Sequence, residues 1–113
     1  MIGLISLPVN IQDDCLYFIG KIKHNNFYEP VELIVYKNTV GDVSVSITDM
    51  GEYRLISADG KFLPNKTWVA NPVAKSKDVN AQATDGEGFV IEFNVKDNID
   101  LNGYMDIRVE VYP

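Results

Sequence analysis

Apolar and polar residues alternate at period two along nearly the whole chain, and no window of about 11 residues carries a helical stripe. Val43, Ser44, Val45, Ser46, Ile47 and Thr48 put three apolar side chains on one face of a strand and three hydroxyls on the other. Phe89, Ile91, Phe93 and Val95 likewise share a face opposite Val90, Glu92, Asn94 and Lys96. In the last stretch Met105, Ile107, Val109 and Val111 oppose Tyr104, Asp106, Arg108, Glu110 and Tyr112. Half-polar strands of this kind belong to antiparallel sheets with one face in water.

The pattern predicts about seven or eight strands, at 2–7, 14–23, 31–37, 42–48, 52–57, 61–70 in one or two pieces, 88–96 and 103–112. Turn residues separate them: Gly41-Asp42, Asp49-Met50-Gly51, Asp59-Gly60, Asp85-Gly86-Glu87-Gly88 and Asn102-Gly103. Asp59-Gly60 and Asn102-Gly103 are the sharpest hairpin signals, because a tight hairpin needs residues that tolerate positive φ. This number of strands at this spacing predicts an all-β fold, an antiparallel β-sandwich. Phe18, Val35, Val45, Ile47, Ile91, Phe93, Ile107 and Val109 are the expected inward residues. Asn71 to Gly88 is poor in large apolar residues and reads as a long surface loop, at about 71–88 within a single domain spanning 1–113.

Composition narrows the partners. With 113 residues, 46% of them hydrophobic and 11% aromatic, the chain can fill one core but not two. Sixteen acids against ten bases give a formal charge of −6, which a phosphate backbone repels, so nucleic acid is not expected as a partner. Cys15, the one cysteine, cannot form an internal disulfide and reads as a small buried apolar side chain. Met1 to Pro8 lacks a basic n-region, and no run of about 18 apolar residues exists, so neither a signal peptide nor a membrane span is expected.

The run Thr48-Asp49-Met50-Gly51-Glu52-Tyr53-Arg54-Leu55 has the form T-D-x-G-x-Y-x-L. It resembles the corner of immunoglobulin-like domains, where D-x-G-x-Y enters a late strand and the tyrosine hydroxyl bonds back to the chain. Tyr53 stands mid-chain rather than near a domain's end, and Leu55 replaces the usual cysteine. Together with Gly20-Lys21-Ile22 and Glu29-Pro30-Val31-Glu32-Leu33-Ile34-Val35, the run is also similar to the first half of prealbumin-like modules of the carboxypeptidase-regulatory and collagen-adhesin B type. The likeness covers about a third of the chain and stops after Leu63. Both resemblances imply an Ig-like sandwich that serves as a scaffold or binding module, and neither carries catalytic residues.

Catalytic chemistry has few parts here. His24, the single histidine, falls in Lys-His-Asn-Asn just after a predicted strand and reads as a solvated loop residue. No Gly-x-Ser-x-Gly elbow and no glycine-rich phosphate loop is present. Carboxylates are plentiful, but Asp42, Asp49, Asp59, Asp85 and Glu87 sit in turns, where they cap backbone groups. Asn98 to Gly103 imitates the start of a calcium loop, yet Val109 stands where the twelfth, bidentate ligand belongs. The expectation is a protein that is not an enzyme and has neither metal nor cofactor. Trp68 has two readings, a core anchor or a platform for a sugar ring that exposed tyrosines would extend.

In the first half of the chain both faces of several strands are apolar. If strands 2–7, 14–23 and 31–37 lie adjacent, Ile5, Leu7, Tyr17, Ile19, Ile34 and Tyr36 form one outward patch, large for a monomer surface. Either strand 2–7 or the 71–88 loop folds over such a patch, or it belongs to a structural module that pairs with itself or docks on a larger protein assembly, which is the expectation taken here. A small, acidic, cysteine-poor β-domain of this kind fits an accessory virion protein of a tailed phage: head decoration, head fibre or baseplate part. The virion, assembled in a host cytoplasm, is then the expected location. The alternative is a carbohydrate-binding or adhesin-like module, extracellular or on a cell surface, with Trp68 as its contact.

Overall fold

The computed structural model describes residues 15–113, where the alternating stretches form nine strands in two antiparallel sheets. In chain order they are β1 (Leu16–His24), β2 (Glu32–Asn38), β3 (Val43–Asp49), β4 (Glu52–Ser57), β5 (Thr67–Val69), β6 (Val73–Ala74), β7 (Val79–Gln82), β8 (Val90–Val95) and β9 (Gly103–Val111). One sheet runs β2-β1-β9-β5, with β6 continuing beside β5 against β9, and the other runs β3-β4-β8-β7. The expected strand at 2–7 lies outside the described residues, as do Ile5 and Leu7 of the anticipated patch.

Both sheets turn their apolar faces inward. Phe18 and Ile22 of β1 and Met105, Ile107, Val109 and Val111 of β9 meet Tyr53 and Leu55 of β4 and Ile91, Phe93 and Val95 of β8. Val40, Phe62 and Leu101, each from a connection that crosses between the sheets, complete the cluster. Each large apolar side chain withdrawn from water contributes about 1.5–3 kcal/mol before chain entropy is counted. Of the expected inward residues, Phe18, Ile91, Phe93, Ile107 and Val109 are buried, while Val45 and Ile47 pack on the cluster part-buried.

Val35 departs from the expectation: it is 49% exposed. Its register opposite Gly20 places it on the inner face, but among the described residues β2 is the outermost strand of its sheet, and of this region Val31 and Leu33 pack on the core. A bulge sets this register. Ile19 pairs with Lys37 and Gly20 with Val35, which leaves Tyr36 as the extra residue. The bulge presses the Ile34 carbonyl onto Gly20 so closely that a Cβ there would collide with it. A glycine is therefore needed at position 20 although it faces the core.

The stretch read as one loop at 71–88 contains β6 and β7, and the stretch 61–70 yields only three strand residues. Here the chain leaves β9's edge and joins β8 as the last strand of the opposite sheet. Strands this short lack the run of apolar residues that would betray them. The two sharpest hairpin signals also serve another purpose. Gly60 and Asn102 do have positive φ, but Asp59-Gly60 and Asn102-Gly103 start or end connections between sheets. The tight β3–β4 hairpin uses Asp49-Met50-Gly51, where Gly51 has φ +76° and lies against the backbone of Asn98 and Ile99. Asp85 closes the β7–β8 hairpin, its carboxylate accepting from the Glu87 and Phe89 amides.

Candidate interaction face

The outer face of the β2-β1-β9-β5 sheet is built by the residues that alternate with the core. Pairing places Tyr17 beside Glu110, Ile19 beside Arg108, Lys21 beside Asp106 and Lys23 beside Tyr104. Trp68 of β5 flanks Glu110 from the other side, and Val73 of β6 flanks Asp106. Tyr36 is 61% exposed, Tyr104 50%, Trp68 49% and Tyr112 41%. Aromatic rings on strands lose little side-chain entropy on binding, which suits them to contact surfaces.

Several charges on this face are held by neighbours. Lys21 Nζ lies 3.6 Å from Asp106 Oδ1, and Lys21 and Lys23 both lie over the Tyr104 ring, at 5.4 and 5.7 Å. The Asp106 carboxylate, and after it Tyr36, raise the Lys21 ammonium above its ordinary range. Lys37 Nζ lies 5.0 Å over the Tyr17 ring. Glu110 is the best-held acid: Arg108 Nε lies 3.5 Å from one carboxylate oxygen, and the Tyr112 hydroxyl donates to the other at 3.2 Å. That bond to Glu110 raises the Tyr112 phenol. The Glu110 side chain is only 17% exposed, between Tyr17 and Trp68 on the neighbouring strands.

Of the residues expected in an outward apolar patch, Tyr17, Ile19, Ile34 and Tyr36 do fall on this face, the first three half-buried. They do not form an unbroken apolar surface, because Lys21, Lys37, Asp106 and Arg108 are interleaved with them. A shallow hollow of about 240 Å³ lies among Ile19, Tyr36, Val73, Asp106 and Arg108. Trp68 is not a core anchor. Period two already placed its partner Glu110 outward; what sequence lacked was the β5–β9 pairing that carries Trp68 to the same side.

A second polar cluster is internal. His24, expected in a solvated loop, is the last residue of β1 and is 1% exposed. Its Nε2 lies 3.1 Å from the Glu29 carbonyl and its Nδ1 2.7 Å from the Tyr53 hydroxyl. A carbonyl can only accept, so Nε2 carries a proton, and in that tautomer of the uncharged ring Nδ1 accepts from the phenol. The phenol oxygen in turn accepts the Leu101 amide at 3.0 Å. Burial pushes the Tyr53 phenol up, assisted by the Asp100 carboxylate and opposed by the Leu101 bond. The expected Tyr53 bond back to the chain is present and reaches the entry to β9, tying the two sheets together. The signal for His24 was available: it continues the inward series Phe18, Gly20, Ile22 by one more step of two.

The imidazole has both nitrogens engaged within the protein, and its role is to anchor the β1–β2 loop. The Glu29 carboxylate holds the same loop by accepting from Asn25 and Asn26. Asn98 to Gly103, which imitates a calcium loop, carries Leu101 into the core and the positive-φ residues Asn98 and Asn102. Among the described residues no group of three or more His, Cys, Asp or Glu is placed to hold a metal ion. Among them, too, no helix is long and apolar enough to cross a membrane. The sequence matches no known protein family, and neither characterised proteins nor solved structures provide a match.

Proposed function

We propose that this chain is a non-enzymatic structural module that docks on a larger protein assembly through the outer face of its β2-β1-β9-β5 sheet. An accessory position on a tailed-phage virion, as head decoration, head fibre or baseplate part, is the assembly we infer. One observation carries the reading: Tyr36, Trp68, Tyr104 and Tyr112 stand exposed on the strands of one sheet face or directly after them. Exposed aromatic rings set among paired charges are the residue types enriched in protein contacts. Particles prepared from cells that carry the gene test it. The chain should band with virions in a density gradient, and Trp68→Ala with Tyr112→Ala should release at least ten-fold more of it. A chain found only among free proteins overturns the reading.

The Trp68 site also favours a second reading, as a carbohydrate-binding module. Trp68 is an exposed ring beside Glu110, whose carboxylate is already oriented by Arg108 and Tyr112. A flat ring next to oriented polar groups suits one apolar face of a sugar and its hydroxyls. Trp68 is the sole tryptophan, so its fluorescence reports binding directly. Saturable quenching by an oligosaccharide would support this reading, and a flat response across a broad glycan panel would remove it.

A further inference from the structure

We propose that a second copy of this chain adds to the free edge of β2, making one antiparallel sheet continuous across a two-fold axis at Ile34. The proposal rests on the reading of the chain as an assembly module and names a contact at the sheet's edge that shares Tyr36, but not Trp68, Tyr104 or Tyr112, with the aromatic face. Among the described residues β2 pairs only with β1, and none of them pairs along its other side, where a partner strand can add. The Ile34 carbonyl points at Gly20 of β1. Backbone direction alternates along a strand, so the amides and carbonyls of Leu33 and Val35 point away from β1.

These directions select a register. With Ile34 opposite Ile34 of the second copy as a non-hydrogen-bonded pair, each Leu33 meets a Val35, and both pairs exchange their amide and carbonyl bonds. On the inner face, Leu33 and the 49%-exposed Val35 then cover their counterparts, which removes the apolar exposure that β2 leaves at the sheet's edge. On the outer face the bulge matters. Because Tyr36 is an extra residue, Lys37 shares the outward side with Glu32, Ile34 and Tyr36. Glu32 of each copy consequently falls opposite Tyr36 and Lys37 of the other, and two pairs of opposite charge close the contact. Without the bulge Lys37 would face inward and the charges would not meet. The complementarity is local, in a chain whose net charge of −6 otherwise drives copies apart.

Charge reversal tests the register. In sedimentation equilibrium the unmodified chain should dimerise with rising concentration. Lys37→Glu alone and Glu32→Lys alone should each weaken dimerisation at least ten-fold, whereas the two together should restore it at unchanged net charge. Ile34→Cys should yield a disulfide-linked dimer on oxidation, since the axial pair brings its Cα atoms to roughly 4.5 Å, within disulfide reach. Glu32→Cys should yield none. A chain that stays monomeric overturns the proposal; if it then pairs once residues 1–14 are removed, that segment occupies the edge instead. A dimer indifferent to both charge reversals also overturns it. Trp68→Ala with Tyr112→Ala should leave the dimer intact, so docking on a particle and pairing at the edge fail separately.

Discussion

The two outer faces of the sandwich are built by the same rule and end with different surfaces. Along β3, β4, β8 and β7 the outward positions are Ser44, Ser46, Glu52, Arg54, Ile56, Val90, Glu92, Asn94, Asn80 and Gln82, with no aromatic ring among them. Across β2, β1, β9 and β5 they include Tyr17, Tyr36, Trp68 and Tyr104. Both faces carry a cross-strand ion pair of similar length, Arg54 with Glu92 and Lys21 with Asp106, each at 3.6 Å. Salt bridges therefore do not distinguish the faces. The aromatic set on one side is what distinguishes the two faces, and it is the reason the contact we propose is assigned to that side.

The comparison breaks most completely if the shared core is lost. Phe93 is fully buried between the sheets, and Phe93→Ala should destabilise the chain by about 3–5 kcal/mol in chemical denaturation, abolishing both faces together. Next comes the bond that ties the sheets. Tyr53→Phe removes the partner of the Leu101 amide and of His24 at once and should cost about 1–3 kcal/mol, while leaving contacts of the outer face intact.

The same residue sets an alkaline limit. Its phenol is raised above the ordinary value of 10.0, so its contribution is complete below that pH and declines as pH rises toward the folded-state value. The melting-temperature gap between the unmodified chain and Tyr53→Phe should accordingly narrow above pH 10, as followed by circular dichroism.

Smaller effects sharpen the contrast between the faces. Ile19→Asp with Ile34→Asp, both half-buried on the outer face, should leave a folded chain that loses its contacts; unfolding would return these side chains to the core. Arg54→Ala on the opposite face should change stability by less than about 1 kcal/mol and alter no binding, because an exposed ion pair contributes little.

Period two alone determined the strand class and which residues share a face, because side-chain parity belongs to the local backbone. Phe18, Ile22, Ile91, Phe93, Ile107 and Val109 went inward as their spacing required. Through its resemblance to the immunoglobulin-like corner, the T-D-x-G-x-Y run also implied a tyrosine whose hydroxyl bonds the chain, and that bond is present. Parity does not say what lies across from a face. Val35 has inward parity and remains exposed because β2 is an edge, whereas His24, a polar residue at a strand's end, is buried because the Glu29 carbonyl and Tyr53 satisfy both its nitrogens. Asp59-Gly60 and Asn102-Gly103 could announce a reversal but not its destination, since positive φ serves a hairpin and a crossing between sheets equally. Trp68 became a surface ring only when three residues of β5 paired with β9, a contact between positions some 40 residues apart that no local pattern encodes.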